Sequence, residues 1–116
     1  MKRLALLAAL ATPACSYSVP INGQFDGQPA QGTATAALSG GTFHVLNTSG
    51  LSCTGTYDAN TTAITIPAKT TCNDGRHGNA IITRKTNLIS GTVIVRLNDG
   101  STGEFVFGDL QFDQEF

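Results

Sequence analysis

Tryptophan is absent from this chain of 116 residues, methionine occurs once, and charged side chains make up only 13%. With 41% hydrophobic residues beside so little charge, the composition is globular rather than disordered. Basic side chains are too few and too scattered to line a phosphate backbone, so nucleic acid is not an expected partner. Also missing is any apolar stretch near the ~20 residues of a membrane-spanning helix. After Pro20, no segment repeats apolar residues at helical spacing long enough to build a helix. No HExxH, HxH, CxxC or GxSxG occurs, so the signatures of zinc peptidases, dithiol redox centres and serine hydrolases are lacking. The aspartates do not form a calcium-loop series either. No metal or cofactor is expected.

What is present begins with an address. Met1–Arg3 carries two basic side chains, and the eight residues Leu4–Ala11 (LALLAALA) are apolar without interruption. A positive start, an apolar core and small residues after it form the layout of a secretory signal. The run has no polar face, which disfavours a buried amphipathic helix. Thr12-Pro13-Ala14-Cys15 resembles a bacterial lipobox: Ala14 fits, whereas Thr12, where Leu is preferred, and Pro13 do not. Cleavage there makes 1–14 the signal segment and Cys15 a lipidation site. The membrane is then a partner through acyl chains, at about 0.8 kcal/mol per buried methylene. The alternative is ordinary cleavage after Ser18, with 1–18 as the signal. Either way the expected location is the bacterial envelope, outer-membrane-anchored or periplasmic. Removing Lys2 and Arg3 leaves five basic against eight acidic side chains, a mildly acidic domain over 15–116.

Three cysteines are an awkward number in an oxidising compartment. Either cleavage scheme accounts for Cys15, and Cys53 and Cys72 remain as a pair. A disulfide is expected on these compartment grounds, although spacing alone does not establish it. A metal site or catalytic thiol lacks companions: His77 follows Cys72 without further ligands nearby.

The rest of the chain alternates with period two, as half-buried strands do. Phe43 and Val45 share one face; Leu51, Cys53, Gly55 and Tyr57 share another; Ile64 with Ile66, Val93 with Val95 and Leu97, and Phe105 with Phe107 continue the pattern. Asp26-Gly27, Asp74-Gly75 and Asp99-Gly100 punctuate it, and Asp-Gly suits two-residue type I′ turns with both residues at positive φ. Strands are predicted near 19–25, 31–38, 42–47, 51–57, 62–67, 69–73, 78–84, 90–98 and 103–108, with Pro20, Pro29 and Pro67 at strand ends or edges. The fold class is all-β: a small antiparallel barrel or two-sheet sandwich of 8–9 short strands. Two degenerate repeats are visible, near 32–58 and 78–109. Gly41-Thr42, Val45, Gly50 and Tyr57 correspond to Gly91-Thr92, Val95, Gly100 and Phe107. The tail, residues 109–116, offers Phe112 to cover a sheet edge.

The runs Leu51-Ser52-Cys53-Thr54-Gly55-Thr56-Tyr57 and Cys72-Asn73-Asp74-Gly75-Arg76-His77-Gly78, with Phe105-Val106-Phe107-Gly108 downstream, carry a resemblance. The chain resembles small, uncharacterised exported proteins and lipoproteins of proteobacteria with a Cys-x-Gly-x-Tyr … Cys-x-Asp-Gly-Arg-x-Gly pattern. The resemblance implies a disulfide-linked β domain and no particular activity.

Asp74, Arg76 and His77 form the densest polar cluster. One reading makes Asp74 and His77 an acid–base pair with Arg76 holding an anion, as in a small periplasmic hydrolase or a sugar-binding domain. The other is a hairpin turn with solvated Arg76 and His77, Arg76 pairing with Asp74 or Asp99. With no catalytic motif, the expectation is a non-enzymatic binding module of the envelope, with a protein or glycan as partner. Inhibition of a hydrolase is an alternative by fold-level analogy.

Overall fold

The computed structural model describes residues 16–116. The signal segment 1–14 and the lipidation site Cys15 lie outside the described residues. Eight strands follow in order: β1 (Ser16–Phe25), β2 (Gln28–Ala37), β3 (Gly40–Asn47), β4 (Ser52–Tyr57), β5 (Thr65–Cys72), β6 (His77–Arg84), β7 (Gly91–Leu97) and β8 (Thr102–Phe107). Each pairs antiparallel with the next, and β1 pairs with β8 to close a barrel. Of the two all-β architectures open from sequence, the chain adopts the barrel. A four-residue helix, α1 (Phe112–Glu115), ends it.

Alternation decides which side chains enter the interior. Phe43 and Val45 on β3, Ala80 and Ile82 on β6, and Val93, Val95 and Leu97 on β7 are buried. Thr42 and His44 between the β3 pair are exposed. β-branched and aromatic residues suit this pleated, half-buried surface. Cys53 and Cys72 stand opposite each other in the β4–β5 register and are joined by a disulfide.

Three details depart from the sequence reading. The segments 62–67 and 69–73 are one strand, β5, and Pro67 lies inside it. The reason is register: β4 pairs with β5 only as far as Thr56↔Lys69, so Pro67 faces a partner strand, through Ile81 of β6, on one side alone. A missing N–H is tolerated there. Ile64 falls outside β5 and is 43% exposed, while Ile66 is buried at 3%. A closed barrel also leaves no edge for Phe112 to cover. Instead α1 packs near β8, where Val106 is buried on the outer side of the wall although Phe105 and Phe107 point inward.

The Asp-Gly pairs are not equivalent. Asp26 (φ 55°) and Gly27 (φ 78°) both take positive φ in a two-residue turn, as type I′ requires. At Asp74-Gly75 and Asp99-Gly100 only the glycine does, at 94° and 92°. There the pair ends a three-residue loop, with Cys72 N donating to Arg76 O and Leu97 N to Ser101 O. Asn47 N donates to Leu51 O across a third loop of the same kind, closed by Gly50. These are type I turns followed by a left-handed glycine, the next commonest hairpin connection.

Candidate functional site

Connections alternate between the two ends of the barrel. The tight turns after β1, β3, β5 and β7 gather at one end. At the other lie the two-residue β2–β3 turn, Leu38-Ser39, the longer β4–β5 and β6–β7 loops, the start of β1 and the end of β8.

The short-turn end is sealed by hydrogen bonds. The first turn residue of each hairpin donates its N–H to the strand before it in the barrel: Asp26 to Thr102 O, Thr48 to Pro29 O, Asn73 to Ser52 O and Asn98 to His77 O. Asn47, only 5% exposed, donates through Nδ2 to Phe25 O and accepts at Oδ1 from Ser49 N and Leu51 N. Beneath it Phe25 and Phe105 meet edge to face, centroids 5.8 Å apart.

Arg76 gathers the carboxylates at this end. Its Nε lies 2.8 Å from Asp74 Oδ2, and its Nη1 is 3.1 Å from Asp99 Oδ2 and 3.4 Å from Asp26 Oδ2. Ser101 Oγ accepts from the same Nη1 at 2.8 Å. Asp74 is held below the usual carboxylate range, first by the backbone N–H of Arg76 and then by its guanidinium. Asp99 is lowered chiefly by the Ser101 hydroxyl and N–H. The guanidinium is raised by the Asp74 hydrogen bond. Of the three residues singled out from sequence, Asp74 and Arg76 are therefore brought together. The His77 ring hydrogen-bonds neither among the described residues; the His77 backbone is tied to Asn98, its N–H donating to Oδ1 and its carbonyl accepting from Asn98 N. Arg76 is not freely solvated: its side chain, 21% exposed, is partly shielded by these partners, which face solvent. With Asp74 Oδ1 and Oδ2 both occupied by Arg76, this cluster is a turn clamp.

The long-loop end is built differently. On the inward face of β2 stand Ala30, Gly32, Ala34 and Ala36. Such small residues leave the upper barrel unfilled, and a cavity of about 360 Å³ opens there. An eight-stranded barrel is wide enough either to fill with side chains or to leave room for one small molecule; this chain fills one end and leaves a cavity at the other. Ile21, Phe43, Ile82, Val93 and Phe107 line the apolar wall, with Tyr17 and Val19 of β1 and Ala59–Thr62 of the β4–β5 loop around the mouth.

Two glycine–aromatic pairs shape the wall. Tyr57, the last residue of β4, pairs with Gly41 near the start of β3; Phe107, the last of β8, pairs with Gly91, the first of β7. A Cβ on Gly41 would stand 2.4 Å from Tyr57 Cζ, and one on Gly91 2.9 Å from Phe107 Cζ. Both rings lie over the bare backbone of the glycine opposite, at the positions that correspond in the two sequence repeats.

Two polar groups face this cavity. Tyr57 has its hydroxyl pKa raised by burial, with the positive charge of Arg84 pulling the other way. Arg84 is 7% exposed. Its Nε donates to Ala63 O at 3.1 Å, and its Nη2 to Thr61 O at 2.7 Å and to Ala63 O. The backbone N–H of Arg84 donates to Ile64 O, and Asn60 Nδ2 donates to Leu38 O at 2.8 Å, so the β4–β5 loop is tied over part of the mouth.

No protein-family model matches this chain, and no curated protein or solved structure matches it significantly. The site therefore stands on its own geometry. Sequence reasoning placed the candidate site in the Asp74–His77 turn and passed over Arg84, Tyr57 and the cavity. A signal for Arg84 existed: Ala80, Ile82 and Arg84 share the inward parity of β6, which puts a cation on an apolar face. Among the described residues, no group of three His, Cys, Asp or Glu side chains is placed to hold a metal.

Proposed function

We propose that this protein is an exported, lipid-anchored, non-enzymatic binding module of the bacterial envelope, and that it takes a small, largely apolar molecule into the long-loop end of its barrel. The observation that carries the reading is the 360 Å³ cavity in the barrel mouth, lined by Ile21, Phe43, Val93 and Phe107 with only a few polar groups. Small-molecule sites have this character: about 300–1,000 Å³, mostly apolar, with a few placed polar groups, and often in barrel mouths.

Export is supported by the leader pattern and by the Cys53–Cys72 disulfide, a bond at home in oxidising compartments. Cleavage before Cys15 is supported by the extent of β1. Ser16, Tyr17 and Ser18 pair with Ala37, Ala36 and Thr35. Cleavage after Ser18 would remove three paired residues, one of them at the cavity mouth. Acyl chains on Cys15 would leave the barrel at its open rim, because Ser16 begins β1 there. The rim itself is apolar: Tyr17, Leu38, Ile64 and Ile89 are 47%, 74%, 43% and 46% exposed. Anchored this way, the mouth faces the bilayer and the Arg76 clamp faces away.

A neutral, environment-sensitive probe such as N-phenyl-1-naphthylamine tests the site. The exported protein should enhance its fluorescence saturably with one site per chain, and Ala36→Phe, which fills the mouth, should abolish the enhancement while the fold persists. Binding that does not saturate, or that ignores Ala36→Phe, removes the mouth as the site.

A further inference from the structure

Arg84 poses a problem that the fold alone does not solve. The residue as a whole is 7% exposed at the edge of an apolar cavity, yet it takes part in none of the ion pairs among the described residues. Arginine cannot shed its charge by deprotonation at any ordinary pH. A buried, unpaired charge is strongly disfavoured, and carbonyl oxygens offset that only in part. Thr61 and Ala63 carbonyls occupy Nε and Nη2; Nη1, with two of the five guanidinium N–H donors, has no acceptor among the described residues. Arg76 makes the contrast plain: it is more exposed and has three carboxylates.

From this we infer that the cavity binds a single-chain anionic amphiphile, its head-group oxygens on Arg84 and its chain against Ile21, Phe43, Val93 and Phe107. The inference rests on the mouth being the binding site. Carboxylate and phosphate heads both match the planar fork of a guanidinium. The protonated Tyr57 hydroxyl, engaged by no hydrogen bond among the described residues, is a second donor beside the same space. Below the mouth, where Asn60, Thr61 and Thr62 add polar groups, the wall of Ile21, Ala34, Phe43, Ile82, Val93 and Phe107 is aliphatic and aromatic, which suits a hydrocarbon tail. A rim of exposed Tyr17, Leu38, Ile64 and Ile89 provides a route for such a molecule from a lipid surface.

The bland alternative makes Arg84 only a strap for the β4–β5 loop, and a set of ten-carbon ligands separates the two. Decanoate, decyl phosphate, decan-1-ol and decyltrimethylammonium are titrated calorimetrically, below their micelle concentrations, into the exported wild-type protein at neutral pH. Both anions should bind at least tenfold tighter than the alcohol, and the cation weakest. A free fatty acid as natural source favours decanoate over decyl phosphate; a phosphate-headed lipid reverses that order. Arg84→Met should reduce the anion-to-alcohol ratio to near one with decan-1-ol still bound, whereas Arg84→Lys should keep a preference for anions. Cation or alcohol binding as tight as decanoate by the wild type overturns the inference while leaving the cavity as a site. That comparison needs no variant, so a misfolded Arg84→Met does not weaken it. If none of the four ligands binds and the neutral probe also fails, the mouth reading itself falls.

Discussion

Arg76 and Asp26, 50 residues apart in the chain, meet across the short-turn end of the barrel, with Nη1 3.4 Å from Oδ2. The β5–β6 turn and the β1–β2 turn are thus held together by charge as well as by the sheet. Because Asp74 and Asp99 lie below their ordinary value of 3.8 in the fold, their contribution is fully present above that pH and is lost as pH falls through the lowered values. Arg76→Gln should therefore lower the melting temperature at neutral pH, and the gap from wild type should close in acid. Thermal melts recorded from neutrality to below pH 3.8 check this. Two parallel profiles would show that the clamp does not couple to folding. Added salt should narrow the neutral-pH gap, since these groups are solvent-facing.

The Cys53–Cys72 bond joins directly opposed positions at a sequence separation of 19. Loop entropy assigns such a crosslink about 3 kcal/mol, acting mainly on the unfolded chain. The paired substitution Cys53→Ala with Cys72→Ala should leave the far-UV spectrum β-like and reduce the unfolding free energy by about 2–3 kcal/mol. Urea unfolding measures it. An unchanged midpoint would mean the opposed register alone holds β4 to β5.

Gly41 and Gly91 share a design but should not share a remedy. Alanine at either position should cost about 1–3 kcal/mol through overpacking. At residue 41 the three atoms nearest the added methyl all belong to the Tyr57 ring, at 2.4 Å to 2.8 Å, so Tyr57→Leu in the same chain should recover most of the loss. At residue 91 the methyl would also stand 2.0 Å from Thr83 O, which trimming Phe107 cannot move. Two double-mutant cycles by chemical denaturation should give strong coupling for the first pair and little for the second.

Thr70 is 1% exposed, and its Oγ1 has no hydrogen-bond partner among the described residues. An unsatisfied buried hydroxyl is destabilising, so Thr70→Val, of nearly the same shape, should raise stability by about 1 kcal/mol. A loss in denaturant midpoint would reveal a hydroxyl partner there.

Much of this barrel was legible because its strands obey strict alternation. Phe43, Val45, Val93, Val95 and Leu97 announce one face from their spacing, and each is buried. Legibility ended where register, not parity, decides. Pro67 reads as a break, and only the short reach of β4 shows why a strand can run through it. Asp74-Gly75 and Asp26-Gly27 look alike as dipeptides but sit in different turns, because one extra loop residue changes which φ must be positive. The site was harder still. A turn dense in charge draws the eye to Asp74 and Arg76, whereas the cavity arises from what β2 lacks. Alanine and glycine at 30–36 signal nothing by themselves until the barrel closes around them.

Closure of the sheet rests on Ile21↔Phe107 through Phe25↔Gly103, which join the first strand to the last. Until the final segment has arrived, the nascent polypeptide carries two bare margins ready to pair with any neighbour. Closure must therefore wait until β8 has been made, and a product cut short before it would keep both margins open to pairing with other copies, with no half-sized barrel as a fallback.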